Sequence, residues 1–238
     1  MKGFRAGIAT PDITKVKMTM EKPISDILRN IPIRGVANRR DVLALLAGAA
    51  AALLPVARPA SAAEAIGTVT TLRGSATALR KADLLDLSIG ADLMLKDLVK
   101  TAESSSTTLL FGDHTSIRLG DRTELMIDSF LLNTQGSFDL MQGAMVFERP
   151  EDAPKIPVTI KTVFGQLGVR GTRFFAGPSA GVFGVFVERG LLEVSAAGVE
   201  RRLQAGEGID IPEPGSAPGQ VTRWAPDRIR QAFASVGL

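Results

Sequence analysis

The amino-acid sequence predicts an all-β fold of stacked short antiparallel strands that ends in a short C-terminal helix. Over residues 67–211, runs of β-branched, aromatic and aliphatic residues recur about every 8–12 residues, a spacing typical of sandwiches, barrels and short solenoids. Glycine and polar turn residues separate these runs, and no amphipathic helical pattern occurs before the C-terminus. These observations favour a β-solenoid-like stack or a two-sheet sandwich over a closed barrel.

Residues 1–63 are predicted to be an N-terminal extension and a twin-arginine signal peptide. Arg39 and Arg40 precede an apolar run at 42–54, which is followed by small residues that end at Ala62 and Ala63. Because this run is shorter than the roughly 20 residues of a membrane span, cleavage after Ala62 or Ala63 is favoured over an uncleaved N-terminal anchor. We therefore expect export to the periplasm and no stable membrane span after signal cleavage.

Charge is distributed unevenly along the chain. Residues 1–62 contain ten Lys and Arg against four Asp and Glu, whereas residues 63–238 contain eighteen against twenty-one. The second part is mildly acidic and has no tyrosine and one tryptophan, Trp224, so it lacks both a basic stripe and a row of stacking aromatics. These properties argue against nucleic acid as a partner. The absence of cysteine excludes a disulfide framework, so packing has to stabilise the exported domain.

Residues 64–212 are predicted to form the β domain. Apart from the segment described below, the predicted strands are 68–73, 75–80, 107–111, 116–119, 129–134, 137–141, 145–148, 182–188, 191–195, 199–203 and 208–211. Turns are expected between the paired runs, among them one at Gln135-Gly136 and one at Arg189-Gly190.

Residues 213–238 are predicted to be a linker and an amphipathic helix. Ile229, Phe233 and Val236 fall on one face at helical spacing, with Pro226 near the start of the helix and Gly237 at its end. This apolar face would cap an open end of the β stack or, alternatively, dock onto a partner.

The most specific segment of the sequence is 158–175, which reads VTIKTVFGQLGVRGTRFF. Alternating β-type residues lead into three evenly spaced glycines, Gly165, Gly168 and Gly171, and Thr172 begins a second β-type run. Glycine supplies a positive φ or lets two backbones approach closely. The segment therefore predicts a bulged corner between two paired strands.

Arg170 lies between two of these glycines and allows two interpretations. A buried guanidinium would need a carboxylate or several carbonyl groups, and it would then brace the turn. An exposed guanidinium beside glycine amides would instead bind a ligand that carries a carboxylate. The candidate interaction motif comprises Gly165, Gly168, Arg170, Gly171 and Thr172.

The core of this segment, GVRGT, resembles the signature of the FecR domain, the periplasmic half of iron-dicitrate-type regulators. The resemblance extends over residues 67–211 and includes LLFGDHT at 109–115 and GLLEV at 190–194. It implies a periplasmic sensing or interaction module, with an envelope receptor or regulator as partner and iron–siderophore or other envelope signalling as its context. Relatives that silence a sigma factor carry a cytoplasmic helical domain and a membrane span before this domain. The export signal predicted in their place favours a free-standing periplasmic protein.

The residue inventory argues against catalysis and against a bound cofactor or metal. His114 is the single histidine and cysteine is absent, so zinc sites and most acid–base or nucleophilic constellations lack their residues. No serine lies in a G-x-S-x-G context, and the glycine spacing does not fit a dinucleotide-binding loop. We interpret His114 as a turn residue and expect a non-enzymatic protein. The alternative function is that of a structural or cell-wall-associated envelope protein, and the oligomeric state stays open.

Overall fold

The computed structural model describes residues 65–132 and 134–238, and the predicted export signal with Arg39 and Arg40 lies outside these residues. The described part contains 16 strands and one helix, which confirms the predicted fold class. The strands are β1 (Gly67–Arg73), β2 (Ala76–Arg80), β3 (Asp83–Asp86), β4 (Asp92–Leu93), β5 (Leu98–Thr101), β6 (Ser106–Phe111), β7 (Thr115–Leu119), β8 (Glu124–Leu131), β9 (Gln135–Gln142), β10 (Met145–Glu148), β11 (Val158–Thr162), β12 (Gly165–Ser179), β13 (Val182–Ala196), β14 (Val199–Gln204), β15 (Glu207–Ile211) and β16 (Thr222–Arg223). The helix is α1 (Pro226–Ala234).

The strands form one sheet that folds into two layers. In layer A the order is β3-β2-β5-β8-β9-β11, followed by the first half of β12, the second half of β13 and then β14. In layer B the order is β4-β1-β6-β7-β10, followed by the second half of β12, the first half of β13, β15 and β16. The 15-residue strands β12 and β13 therefore belong to both layers and join them.

One strand pair departs from the predicted antiparallel arrangement. In layer A, β9 and β11 run parallel, with Val158 opposite Gly136 and Thr162 opposite Leu140. Parallel neighbours need a crossover connection. Strand β10, which pairs in layer B, and residues 149–157 provide that connection.

Two predicted turns lie inside strands. Gln135-Gly136 begins β9, and Arg189-Gly190 lies in the middle of β13. Gly136 is covered by aromatic rings, because a Cβ placed on it would lie 3.1 Å from Phe130 and 3.3 Å from Phe138. Glycine at this position therefore makes room for the core instead of turning the chain.

The main core lies between the two layers and is built from alternate residues of facing strands. Phe111 of layer B contacts Phe130 and Phe138 of layer A, with ring centroids 5.4 and 4.9 Å away. Phe147 and Phe174, both fully buried, stack at 5.4 Å. Burial of one such side chain stabilises the fold by about 1.5–3 kcal/mol. This shared core makes the domain a two-layer sandwich, one of the two architectures that the sequence predicted.

Helix α1 packs on the outer face of layer B instead of over an open end of the stack. Phe233 and Val236 are buried there in a second cluster with Phe175, Phe186 and Trp224. The apolar face of the helix is thus covered by the domain itself. Across the part of the chain that the structure describes, no helix combines the length and apolar character needed to cross a bilayer.

Candidate functional site

The candidate site is built on the β12–β13 hairpin, at the point where the sheet passes from layer A to layer B. The pairing register between the two strands shifts between Arg170 and Arg173. Gly171 has a φ of +65°, and Gly190 on the facing strand has a φ of +88°. The predicted bulge is therefore present, but it lies inside two long strands and not at a corner where one strand ends.

Gly190 is the sterically tightest position of this bulge. A Cβ placed on it would lie 2.5 Å from the carbonyl oxygen of Gly171 and 2.7 Å from Cγ2 of Thr172. A Cβ placed on Gly171 would meet no atom within 4 Å. Both positions need a residue that tolerates positive φ, whereas only Gly190 also needs the absence of a side chain.

Two motif residues serve the packing between β12 and β13. Thr172 is fully buried, and its Oγ1 has no hydrogen-bond partner among the described residues. Gly165 begins β12, where a Cβ would lie 2.5 Å from the carbonyl oxygen of Ser195 on β13. Neither residue offers a side chain to a ligand.

Gly168 and Arg170 form the exposed part of the motif. Gly168 lies between Thr159 of β11 and Glu193 of β13, and a Cβ on it would come no closer than 3.7 Å to a neighbour. Its φ is not positive either, so the conformational reason predicted for this glycine is wrong. Its missing side chain instead leaves a bare floor on the outer face of layer A.

An open groove of about 820 Å³ passes over this floor. Its lining includes Thr159, Gln166, Gly168, Arg170, Glu193 and Arg202. The Arg170 side chain is exposed, and it makes no ion pair or side-chain hydrogen bond with any residue in 65–132 or 134–238. The burial that the bracing interpretation requires is not present, and Arg170 is accessible to a ligand.

The groove carries charges of both signs. Lys155, Arg170 and Arg202 share it with Glu193 and Glu200, and Arg202 Nε lies 3.6 Å from Glu193 Oε2. An exposed pair of this kind is worth only about 0.2–1 kcal/mol, so a ligand can replace it at low cost. Arg170 is the cation that adjoins the bare floor and has no carboxylate partner within the described chain.

A charged cluster that the sequence did not reveal adjoins the groove. Asp128 accepts hydrogen bonds from Lys96 and Lys161, and Lys161 Nζ also lies 3.7 Å from Asp139. The hydrogen bonds from Lys96 and then Lys161 lower the pKa of Asp128 to about 2. Lys161 is opposite Gln166, which lines the groove. Asp128 therefore stays ionised at a pH where an ordinary carboxyl group is protonated, and the cluster places paired charges beside the groove.

The described residues bring neither a metal-binding cluster nor a histidine to this groove. Within the described ranges, no group of three His, Cys, Asp or Glu side chains is placed to hold a metal ion. His114 lies in the β6–β7 turn, as predicted, and is not part of the groove. The site can select a ligand by shape and by charge.

Comparison with known protein families gives a match for the region that contains this site. Residues 97–193 match the family model described as FecR protein, and this range includes the bulge, Gly168 and Arg170. Two crystal structures of a candidate anti-sigma factor from Parabacteroides distasonis ATCC 8503 resemble 56% of the chain at 15% identity, with TM-scores of 0.48 and 0.47. The similarity spans 62% of the length of that protein. No curated protein sequence matches the chain. The match assigns a FecR domain to residues 97–193, and this range contains Gly168, Arg170 and Glu193 of the groove, whereas Ser195, Glu200 and Arg202 of its lining lie beyond it.

Proposed function

We propose that the protein is an exported, non-enzymatic FecR-domain module that senses or relays an envelope signal by binding another envelope protein in the periplasm. The observation that carries this proposal is the groove over Gly168, in which Arg170 is exposed and unpaired within the described chain. The FecR resemblance makes iron–siderophore signalling the first pathway to test.

The geometry of the groove supports binding by a protein segment. Its floor is strand backbone left bare by Gly168, so an extended chain or loop can approach closely. Arg170 can form a bidentate pair with a carboxylate of the ligand, a contact that fixes orientation as well as charge. Thr159, opposite Gly168, and Gln166, two residues before it on β12, add neutral hydrogen-bonding groups beside the floor.

The test places a photo-crosslinking residue at Gln166 in the full-length protein in intact cells. We expect ultraviolet light to capture an envelope protein at this position but not at Asp113, an exposed turn residue remote from the groove lining. Arg170→Glu should abolish the capture and leave the thermal midpoint unchanged, because exposed substitutions of this kind alter stability by about 0.5 kcal/mol or less.

Three results would contradict the proposal in different ways. Capture of peptidoglycan instead of protein would favour the structural, cell-wall-associated alternative. Equal capture by the wild type and by Arg170→Glu would show that the groove is not the binding surface. A large fall in the midpoint of Arg170→Glu would restore the bracing interpretation.

A further inference from the structure

Strand β3 is an open edge of layer A. It pairs with β2 on one side, and no other strand of the described residues pairs with it. All four of its residues are exposed, including Leu84 at 67% and Leu85 at 37%. An edge with unpaired backbone groups and apolar side chains is a template for the addition of another strand.

The direction of the backbone groups on β3 follows from the tight β2–β3 hairpin. Lys81 and Ala82 form a two-residue turn, so Arg80 and Asp83 are the hydrogen-bonded pair that closes it. Hydrogen-bonded and non-hydrogen-bonded pairs alternate along an antiparallel ladder. The N–H and C=O groups of Leu84 and Asp86 therefore point to the free edge.

An apolar row leads from this edge across the outer face of layer A. Leu84 is opposite Leu79, Leu79 is opposite Leu98, and Leu98 is opposite Met126, so the four side chains lie on the same face. A groove of about 380 Å³ borders this row, and Leu95, which is 47% exposed, forms part of its wall. An added strand could extend this apolar row by one residue.

The charges on β3 indicate which strand fits. Asp83 and Asp86 flank the two leucines. Antiparallel pairing with a second copy of β3 has to align the residues whose backbone groups face the free edge, Leu84 and Asp86. Because β3 contains no basic residue, a second copy offers neither carboxylate a cation. A strand with basic residues at these two positions would form two favourable cross-strand pairs.

We propose that β3 binds a partner protein by strand addition, and that the added strand carries the pattern basic–apolar–apolar–basic. The apolar residues would lie opposite Leu84 and Leu85, and the basic residues opposite Asp83 and Asp86. This surface is separate from the groove over Gly168, so the proposal does not depend on the proposed function.

The test measures binding of fluorescent eight-residue peptides to the full-length protein at low ionic strength. We expect a saturable rise in anisotropy for a peptide with a Lys-Val-Val-Lys core and none for the Glu-Val-Val-Glu counterpart. The double variant Asp83→Lys/Asp86→Lys should reverse this preference. Its control, Asp113→Lys/Glu213→Lys, changes the net charge equally at exposed sites elsewhere and should keep the wild-type preference.

A backbone variant separates strand addition from charge attraction alone. Leu84→Pro removes an N–H that points to the free edge without removing a ladder bond to β2. It should weaken binding of the basic peptide by about tenfold or more, whereas Leu84→Ile should not. Thermal melts of each variant confirm that the fold is retained.

Three outcomes would overturn the proposal. Equal binding of the two peptides would show that β3 does not select its partner by charge. A preference of Asp83→Lys/Asp86→Lys for the basic peptide would show the same. Unchanged binding by Leu84→Pro would reduce the contact to electrostatic attraction. A concentration-dependent dimer that is lost in Leu84→Pro would instead identify a second copy as the occupant.

Discussion

Substitution of Gly190 by alanine should be one of the most damaging single-methyl changes in the domain. The new Cβ would lie 2.5 Å from the carbonyl oxygen of Gly171 and 2.9 Å from Cα of Thr172. These neighbours are backbone atoms, so no flexible side chain can move aside. The φ of +88° would persist as well, in a region that alanine tolerates poorly.

The facing glycine separates the two parts of this cost. Gly171 has a positive φ but open space around it, so Gly171→Ala should cost about 1–2 kcal/mol from backbone strain alone. Gly190→Ala adds a steric overlap, and overpacking of this kind typically costs about 1–3 kcal/mol more. We expect Gly190→Ala to be the more destabilising of the two by that second amount.

The measurement compares urea and thermal unfolding of the full-length wild type, Gly171→Ala, Gly190→Ala and Gly168→Ala. For a chain of this size, 1 kcal/mol shifts the thermal midpoint by about 2–4 °C. Gly168→Ala is the matched control and should be nearly neutral, because its φ is ordinary and its nearest neighbour lies 3.7 Å away. Equal midpoints for Gly171→Ala and Gly190→Ala would refute the steric argument, and a large loss in Gly168→Ala would refute the description of the floor.

Two further predictions concern pH dependence and export. The lowered pKa of Asp128 means that its ion pairs stabilise the fold above the ordinary carboxyl pKa of about 3.9, and that this contribution is lost as pH falls towards about 2. The difference in urea midpoint between wild type and Asp128→Asn should therefore shrink between about pH 4 and 2, and a difference that is constant with pH would contradict the pairing. If residues 1–63 form a twin-arginine signal, Arg39→Lys/Arg40→Lys should leave uncleaved precursor in the cytoplasm, because the pair is read as guanidinium groups and not only as charge. Immunoblots of cell fractions would measure the cleavage of this variant. Cleavage at the wild-type level would count against that route.

Local patterning was sufficient to predict most of the strands. The run at 145–148 matches β10 at both ends, and the runs at 199–203 and 208–211 agree with β14 and β15 within one residue. The helix was found because its apolar spacing and Pro226 are local signals. The formation of these strands and of the helix is determined by residues close together in the chain, so the sequence alone identifies them.

Features that depend on strand register could not be predicted in this way. Asp128 meets Lys161 only because β11 lies beside β9, a parallel pairing made through a connection in the other layer. The sequence likewise gives no sign that Arg149 is buried, where it donates hydrogen bonds to Thr115 Oγ1 and to the carbonyl oxygen of Pro154. Burial without a carboxylate hydrogen bond lowers the pKa of Arg149. The contacts of Asp128 with Lys161 and of Arg149 with Thr115 each join residues more than 30 positions apart in the chain.

The bulge, by contrast, leaves a signal in the sequence that distinguishes it from a turn. On β12 the core residues are Leu167 and Val169 before Gly171, but Phe174 and Ala176 after it, so the alternation changes phase by one residue. The same change occurs on β13 across Gly190, because Val187 before it and Leu192 after it both pack into the core. A turn would reverse the chain and restart the pattern, whereas a bulge keeps the chain direction and only exchanges the two faces. This exchange directs Phe175 to the helix-covered face of layer B while Arg170, on the layer A side, faces the groove. Removing the bulge would therefore alter the core of layer B as well as the residues of layer A that line the groove, so the positive φ and the close contacts at Gly190 have to be kept.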